Sequence, residues 1–151
     1  MKKVTTLCTV FIGGRILLGM KKRGFGEGWW NGFGGKVQPG ETIEAAAIRE
    51  CQEEAGITPT TISPRATFNF HFEDSPDEIE VHVFLVEVFT GEPQESEEMR
   101  PQWFALDEIP YKQMWADDPY WLPQILAGKQ LEATFWFKDI RALLRHQVRE
   151  V

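Results

Sequence analysis

The sequence has few cysteines, no long hydrophobic run and no excess of positive charge. Cys8 and Cys51 are its only two cysteines, and both lie in apolar patterns, so we expect two buried thiols in a reducing compartment and no metal cluster built on cysteine. No apolar run approaches the roughly 20 residues that a membrane span needs, and residues 1–3 lead into a strand-like stretch without a signal-peptide cleavage pattern. We therefore expect a cytoplasmic protein with no membrane partner.

The charge balance is acidic. Lys and Arg number 16 against 23 Asp and Glu, which gives a net charge of −7. Binding to nucleic acid backbones needs cationic patches, so we expect no nucleic acid partner, although an anionic substrate held through metal ions remains compatible with this charge. A high net charge also favours a monomer.

The length and composition are those of one folded domain covering residues 1–151, with 42% hydrophobic and 26% charged residues. Six tryptophans are many for this length. Any single aromatic is by default a core residue, but several of these stand beside Gly, Asp or Pro and not inside apolar runs. That placement suits a pocket for a flat ligand.

Strand patterns recur along the chain. Two of them flank the Gly-Gly pair at 13–14, which predicts a β-hairpin. Further strand patterns lie at 66–72 and 80–89, with turn residues at 74–77 between them. The end of the chain, 142–151, fits a helix or an alternating strand equally well.

Two helices are predicted between these strands. Residues 41–55 contain no Gly or Pro and are rich in Ala and Glu, and Gly56 follows where a left-handed cap residue belongs. Residues 119–126 form the second helical pattern, with Pro in the first turn. The chain is therefore expected to fold as a mixed α/β protein.

The first helix carries a stripe of glutamates. Glu50, Glu53 and Glu54 fall within an arc of about 100° on a helical projection. Three like charges repel, and a hard cation such as Mg²⁺ would remove the conflict because it binds carboxylate oxygens. Spacing alone leaves the alternative of a solvated acidic face open.

The longer motif around this helix is more specific. Residues 35–57 read GKVQPGETIEAAAIRECQEEAGI. They resemble the signature box of the Nudix hydrolases at every fixed position, with Cys51 where that family mostly carries an aliphatic residue. Three other segments look like the MutT-type branch that acts on oxidised purine nucleoside triphosphates, namely MKKRGFGEGWWNGFGGKV at 20–37, ESEEMRPQWF at 95–104 and MWADDPYW at 114–121.

The resemblance implies a Nudix fold, an α/β/α sandwich in which a mixed β-sheet lies between helices and the box forms a loop–helix–loop. It also implies a Mg²⁺ cofactor, replaceable by Mn²⁺. The family's metal and catalytic positions correspond to the carbonyl of Gly34 and to four carboxylates, Glu50, Glu53, Glu54 and Glu98. Glu54 or Glu98 would be the general base. Arg49 would orient a box glutamate.

The resemblance further implies a substrate site. Within it, Asn31, Trp115, Asp117 and Asp118 would grip the purine, and Lys21 or Lys36 would meet the phosphates. The full implied set is Thr6, Lys21, Phe25, Asn31, Phe33, Gly34, Gly35, Lys36, Phe70, Phe72, Ile79, Trp115, Asp117 and Asp118. Trp29, Asn69 and Ile79 depart from the mammalian pattern, which has Arg, Val and Met there. Trp29 and Ile79 are expected near the cleft, so the departures bear on which bases the site accepts and not on the hydrolase reaction.

The adjacent Asp117 and Asp118 are chemically suited to such a site. Burial and like charge raise the pKa of a paired carboxyl, and a protonated carboxyl donates a hydrogen bond where an ionised one accepts. The pair would therefore read two purines, 8-oxoguanine and 2-hydroxyadenine. From the residues alone, a helix N-cap is the simpler interpretation of Asp-Asp-Pro.

The expected reaction is the hydrolysis of an oxidised purine nucleoside triphosphate to monophosphate and pyrophosphate, which sanitises the nucleotide pool. Another Nudix substrate is the main alternative: a dinucleoside polyphosphate, a nucleotide sugar or an RNA cap, although a cap would favour a basic groove. A non-catalytic nucleotide-binding module would have lost a metal carboxylate, and all four are present. A structural interaction domain would not need the fixed glycines and arginine of the box.

Overall fold

A computed structural model describes residues 1–151. It contains eight strands, two α-helices and two 3₁₀-helices. In chain order these are β1 (Lys2–Ile12), β2 (Arg15–Lys21), β3 (Trp30–Asn31), α1 (Ile43–Ala55), β4 (Thr58–Phe72), β5 (Glu78–Thr90), β6 (Met99–Ala105), the 3₁₀-helices Leu106–Glu108 and Tyr111–Gln113, α2 (Asp118–Leu126), β7 (Leu131–Asp139) and β8 (Ala142–Glu150). Neither α-helix is long and apolar enough to cross a membrane.

All eight strands belong to one mixed sheet, in the order β3-β2-β1-β5-β4-β7-β8, with β6 paired to β2. The pairs β1–β5 and β4–β7 are parallel and the others antiparallel. The predicted hairpin is present, with φ of 60° at Gly13 and 77° at Gly14, values that favour glycine. The end of the chain, which the sequence left open, is a strand because it pairs with β7, where Ala133 faces Val148.

The sheet buries both of its faces. Helix α1 covers one face, where Ala47, Cys51 and Ala55 pack with strand residues such as Val10 and Phe84. Helix α2 covers the other face in a separate cluster, which includes Trp121, Leu122, Ile125, Phe68 and Phe135. The predicted α/β/α layering is confirmed. Both cysteines are free and fully buried on the α1 face, as expected.

Helix α1 begins two residues later than predicted. Thr42 is its N-cap, with extended backbone angles, and its hydroxyl accepts from the Ala45 amide at 3.1 Å. Glu41 lies outside the helix because its carboxylate accepts from Arg49 at 2.7 Å and from the Gln38 amide at 3.0 Å. The end is as predicted, with Gly56 in the left-handed conformation at φ 70°.

Strand β4 is longer than the predicted 66–72. Its first half contains Pro59 and Pro64, which cannot donate to a ladder and normally argue against a strand. The pairing with β5 shifts register beside each of them, so the missing amides fall at irregularities.

Candidate active site

The loop before α1 lies directly on the edge of β1. The Thr6 amide donates to the Gly35 carbonyl at 2.9 Å, and the Cys8 amide donates to the Phe33 carbonyl at 2.6 Å. Gly34 is so close to β1 that a Cβ atom there would overlap the Thr6 carbonyl oxygen. Glycine is therefore required for this approach, which brings the loop to the carboxylates of α1.

Glu54 is the buried carboxylate of the helix. Its side chain is 6% exposed, and its Oε1 accepts from the Gly34 amide at 2.9 Å. The pKa of Glu54 is raised to about 8, mainly by burial and also by the charges of Glu50 and Glu98, while the Gly34 amide and Lys21 act to lower it. Glu54 therefore holds its proton more strongly than an ordinary glutamate.

Arg49 neutralises the other glutamates of the box. Its guanidinium donates to Glu41 at 2.7 Å, to Glu50 at 3.1 Å and to Glu53 at 3.2 Å. The repulsion expected along the glutamate stripe is thus offset by an arginine of the same helix. Burial raises the pKa of Glu50, and Arg49 opposes that shift.

Glu98 lies in the segment between β5 and β6 and is paired with cations. Arg23 donates to its Oε1 through two nitrogens, at 2.8 and 2.6 Å, and the Lys21 ammonium is 3.6 Å from Oε2. The hydrogen bonds from Arg23 hold the pKa of Glu98 below its usual value. The segment is also tied down by its main chain, because the Lys22 amide donates to the Glu98 carbonyl at 2.8 Å.

These carboxylates do not converge in the structure. No group of three or more His, Cys, Asp or Glu side chains is arranged to hold a metal ion. Their chemistry nevertheless fits a divalent cation. All the donors are hard oxygens, and the charges of Glu50 and Glu98 act on the buried carboxylate of Glu54, an electrostatic conflict that such a cation relieves.

A cleft of about 410 Å³ opens beside the box on the α2 side of the sheet. It brings together Glu54 and every predicted substrate residue except two: Thr6, Lys21, Phe25, Asn31, Gly34, Gly35, Lys36, Phe70, Ile79, Trp115, Asp117 and Asp118. A wider groove of about 1070 Å³, which includes Tyr120, Gln124 and His146, contains no box residue.

Phe33 and Phe72 are the two predicted substrate residues that do not line the cleft. The Phe33 side chain is fully buried in the core on the α1 face, so only its main chain is near the site. Phe72 stacks on Phe137 with ring centroids 4.9 Å apart and meets the cleft through its contact with Trp115. The Phe33 ring is therefore not placed to contact a substrate directly.

The structure adds residues that the sequence did not single out for the cleft. Val81 and Met99 line it. Nothing in the sequence marks Val81 and Met99 as cleft residues, because single apolar residues in strands are by default core residues. Trp29, a departure from the mammalian pattern that was expected near the cleft, lines it as well, and the Arg141 guanidinium lies 5.2 Å from the centroid of its ring.

Asp117 and Asp118 form the polar end of the cleft. They are 1% and 2% exposed, and the Asp117 Oδ2 accepts from the Trp121 indole at 2.7 Å. The Asp117 Oδ1 and the Asp118 Oδ2 have no hydrogen-bond partner. Burial raises the pKa of Asp117 to about 6 and that of Asp118 well above its usual value.

The side chains of this pair do not cap helix α2, so the N-cap interpretation is wrong. Asp117 occupies the cap position of α2, but its side chain makes no capping hydrogen bond. Its carboxylate is held by Trp121, a residue that sequence reasoning missed. The four-residue spacing on a helix was the available signal.

The pair should make stability depend on pH. The pKa of Asp117 rises from 3.8 to about 6 on folding, so the folded state binds the proton more tightly. This contribution is fully present below pH 3.8 and is lost as the pH rises through about 6. In urea titrations between pH 5 and 7.5, the wild type should lose more unfolding free energy than Asp117→Asn. Equal losses in the two proteins would contradict the raised pKa.

The chain belongs to the NUDIX family, since residues 1–125 match the NUDIX domain. It is 50% identical over 149 residues to the oxidized purine nucleoside triphosphate hydrolases of Danio rerio and Mus musculus, across 99% of this chain and 96% of each relative. Its fold is similar to the crystal structure of the MutT protein from Bacillus halodurans, with a TM-score of 0.86, 28% identity and 97% of both chains covered. The resemblance drawn from residues 35–57 is confirmed.

Proposed function

We propose that this protein hydrolyses oxidised purine nucleoside triphosphates to nucleoside monophosphate and pyrophosphate, with Mg²⁺ as cofactor and Mn²⁺ able to replace it. The observation that carries the proposal is the cleft itself, which is lined both by unpartnered buried carboxyl oxygens and by Glu54 with two lysines. The names of the two relatives at 50% identity support the same substrate class. The reaction would remove damaged precursors from the nucleotide pool.

The base end of the cleft suits a purine. Trp115, Phe25 and Phe70 supply aromatic surface for a flat ring. The Asn31 Oδ1 accepts from the Gly32 amide at 2.9 Å, which leaves its NH₂ group to donate to the base. The free oxygens of Asp117 and Asp118 either donate or accept according to protonation, so the pair can match purines with different edge patterns. A base that pairs with these oxygens removes the cost of leaving them unpaired.

The cleft also offers positive charge to phosphates. Lys21 and Lys36 line it, and Lys21 lies close enough to Glu54 for its charge to lower the Glu54 pKa. The carbonyl of Gly34 and the carboxylates of Glu50, Glu53, Glu54 and Glu98 would hold the metal. When bound, a divalent cation neutralises phosphate charge and lowers the pKa of a water molecule.

Of the two candidate general bases, Glu54 is the better placed. Its carboxylate is buried beside the loop, whereas the carboxylate of Glu98 is paired with Arg23 and Lys21. The hydrogen bond from the Gly34 amide to Oε1 fixes the orientation of Glu54, as a positioned general base requires. Glu54 would therefore take the proton from the attacking water.

Four substrates compared side by side test the proposal. We expect kcat/KM for 8-oxo-dGTP and 2-hydroxy-dATP to exceed the values for dGTP and dATP by at least about 10-fold, or about 1.4 kcal/mol of transition-state binding. Pyrophosphate and nucleoside monophosphate should appear in equal amounts. Equal, slow turnover of all four would keep the phosphate chemistry but contradict the base-end assignment, and dinucleotides and caps would then be tried.

We also propose that residues 1–151 act as one domain, as a monomer in the cytoplasm and without a nucleic acid partner. The net charge of −7 supports a monomer without a nucleic acid partner. A single eight-stranded sheet built from both ends of the chain supports one domain. Light scattering on the purified protein checks the monomer.

A further inference from the structure

Glu98 is already paired with positive charges of this chain. Arg23 reaches Oε1 through Nε and Nη2, at 2.8 and 2.6 Å, and its Nη2 also lies 3.4 Å from Glu97. Lys21 covers Oε2 at 3.6 Å. A carboxylate oxygen that binds Mg²⁺ lies about 2.0–2.1 Å from the ion. Arg23 takes up Oε1, so Glu98 can offer this oxygen to a metal ion only after Arg23 gives way.

We infer that Arg23 is a resident counter-ion on Glu98 that a divalent cation must displace when the site loads, so that Arg23 sets the metal affinity of the free enzyme. The inference rests on the proposed function, because it takes Glu98 as a metal ligand. It assigns a positioning role to a residue that lines neither the cleft nor the box.

Arg23 fits this role better than the other cations near the site. Its planar guanidinium makes a two-nitrogen contact with one oxygen, which a lysine cannot make. Its side chain is 59% exposed, so it can leave without opening the core. Arg49 is held by Glu41, Glu50 and Glu53 at once and is mostly buried, so its release would disrupt the box.

The segment that carries Glu98 would stay in place without Arg23. The Lys22 amide donates to the Glu98 carbonyl, and the Ser96 hydroxyl donates to the Glu54 carbonyl at 2.9 Å. Neither bond involves the Arg23 side chain. Removing that side chain therefore frees the Glu98 Oε1 for a cation while leaving the main chain of Glu98 docked beside α1.

The test is the affinity of the substrate-free protein for Mn²⁺, measured from the free-Mn²⁺ signal in electron paramagnetic resonance titrations. Arg23→Gln should lower the Kd about threefold, the range expected when one exposed ion pair no longer competes. Lys22→Gln is the matched control. It removes the same charge from the same loop, but Lys22 pairs with Glu95 at 2.5 Å and not with Glu98. Its Kd should change by less than about 1.5-fold, because neighbouring exposed charges are screened.

Each outcome decides one point. An unchanged or higher Kd for Arg23→Gln overturns the inference, and so does an equal decrease in both variants, which would be a general charge effect. Glu98→Gln tests the proposed metal role separately, since it should weaken Mn²⁺ binding in either case. If Glu98→Gln binds Mn²⁺ like the wild type, the ligand assignment in the proposed function fails.

Discussion

Glu54→Gln is expected to lower kcat by about 100- to 10,000-fold, the usual contribution of a positioned general base. The glutamine side chain has the shape of the carboxylate and keeps an oxygen that can accept from the main-chain amide of Gly34, which lies 2.9 Å from Oε1 in the wild type. It cannot accept a proton from water. Because the substitution removes a buried group whose pKa is raised to about 8, the variant should be no less stable than the wild type above that pH.

The measurement is kcat and KM for 8-oxo-dGTP at saturating Mg²⁺, with urea unfolding of the same samples. Glu44→Gln is the matched control, since Glu44 is an exposed glutamate in the first turn of the same helix. That variant should keep wild-type kinetics. A Glu54→Gln enzyme with near-normal kcat would show that the proton acceptor lies elsewhere, and Glu98 would then be the next residue to replace.

Local spacing predicted the parts of this site that lie on one helix. The box is a pattern within 23 residues, and a helix turns any such pattern into a defined surface, so Glu50, Glu53 and Glu54 could be placed on neighbouring positions before any fold was known. The hairpin at 13–14 was equally local, because Gly-Gly between two strand patterns permits few turns.

Contacts between distant segments could not be predicted in this way. Arg23 and Glu98 are 75 residues apart and meet only because β2 and β6 pair in one register, with Lys21 opposite Met99. Phe33 points into the core and not into the cleft for a similar reason, since the bridge between Phe33 and Cys8 decides which face of the sheet it joins. A one-residue shift in either pairing would reverse the outcome.

The orphaned oxygens of Asp117 and Asp118 are a different case. The sequence placed two carboxylates beside Trp115, and chemistry alone gave the direction of their pKa shifts. Which oxygen is left free depends on Trp121, whose indole takes the Asp117 Oδ2. Sequence reasoning therefore located the polar end of the cleft but not the partner that orients it.

Gly34→Ala should reduce kcat/KM by about 100-fold, the cost expected when catalytic groups move by about 1 Å. A Cβ atom at this position would overlap the Thr6 carbonyl oxygen, a main-chain atom that cannot rotate away. The loop must then move off β1, which disturbs the 2.9 Å hydrogen bond from the Thr6 amide to Gly35 and the one from the Gly34 amide to Glu54. Overpacking of this kind should also lower the unfolding free energy by about 1–3 kcal/mol.

Gly128→Ala separates the two effects. Gly128 has φ of 92° after the end of α2, and a Cβ atom there meets nothing within 4 Å, so the substitution strains the backbone far from the box. It should cost about 1 kcal/mol of unfolding free energy and leave kcat/KM unchanged. If Gly34→Ala and Gly128→Ala lose similar stability while only the former loses activity, the loss reflects the displaced loop. If Gly34→Ala keeps wild-type kcat/KM, the close approach of this loop to β1 is not what positions Glu54, and the geometry proposed for the general base is wrong.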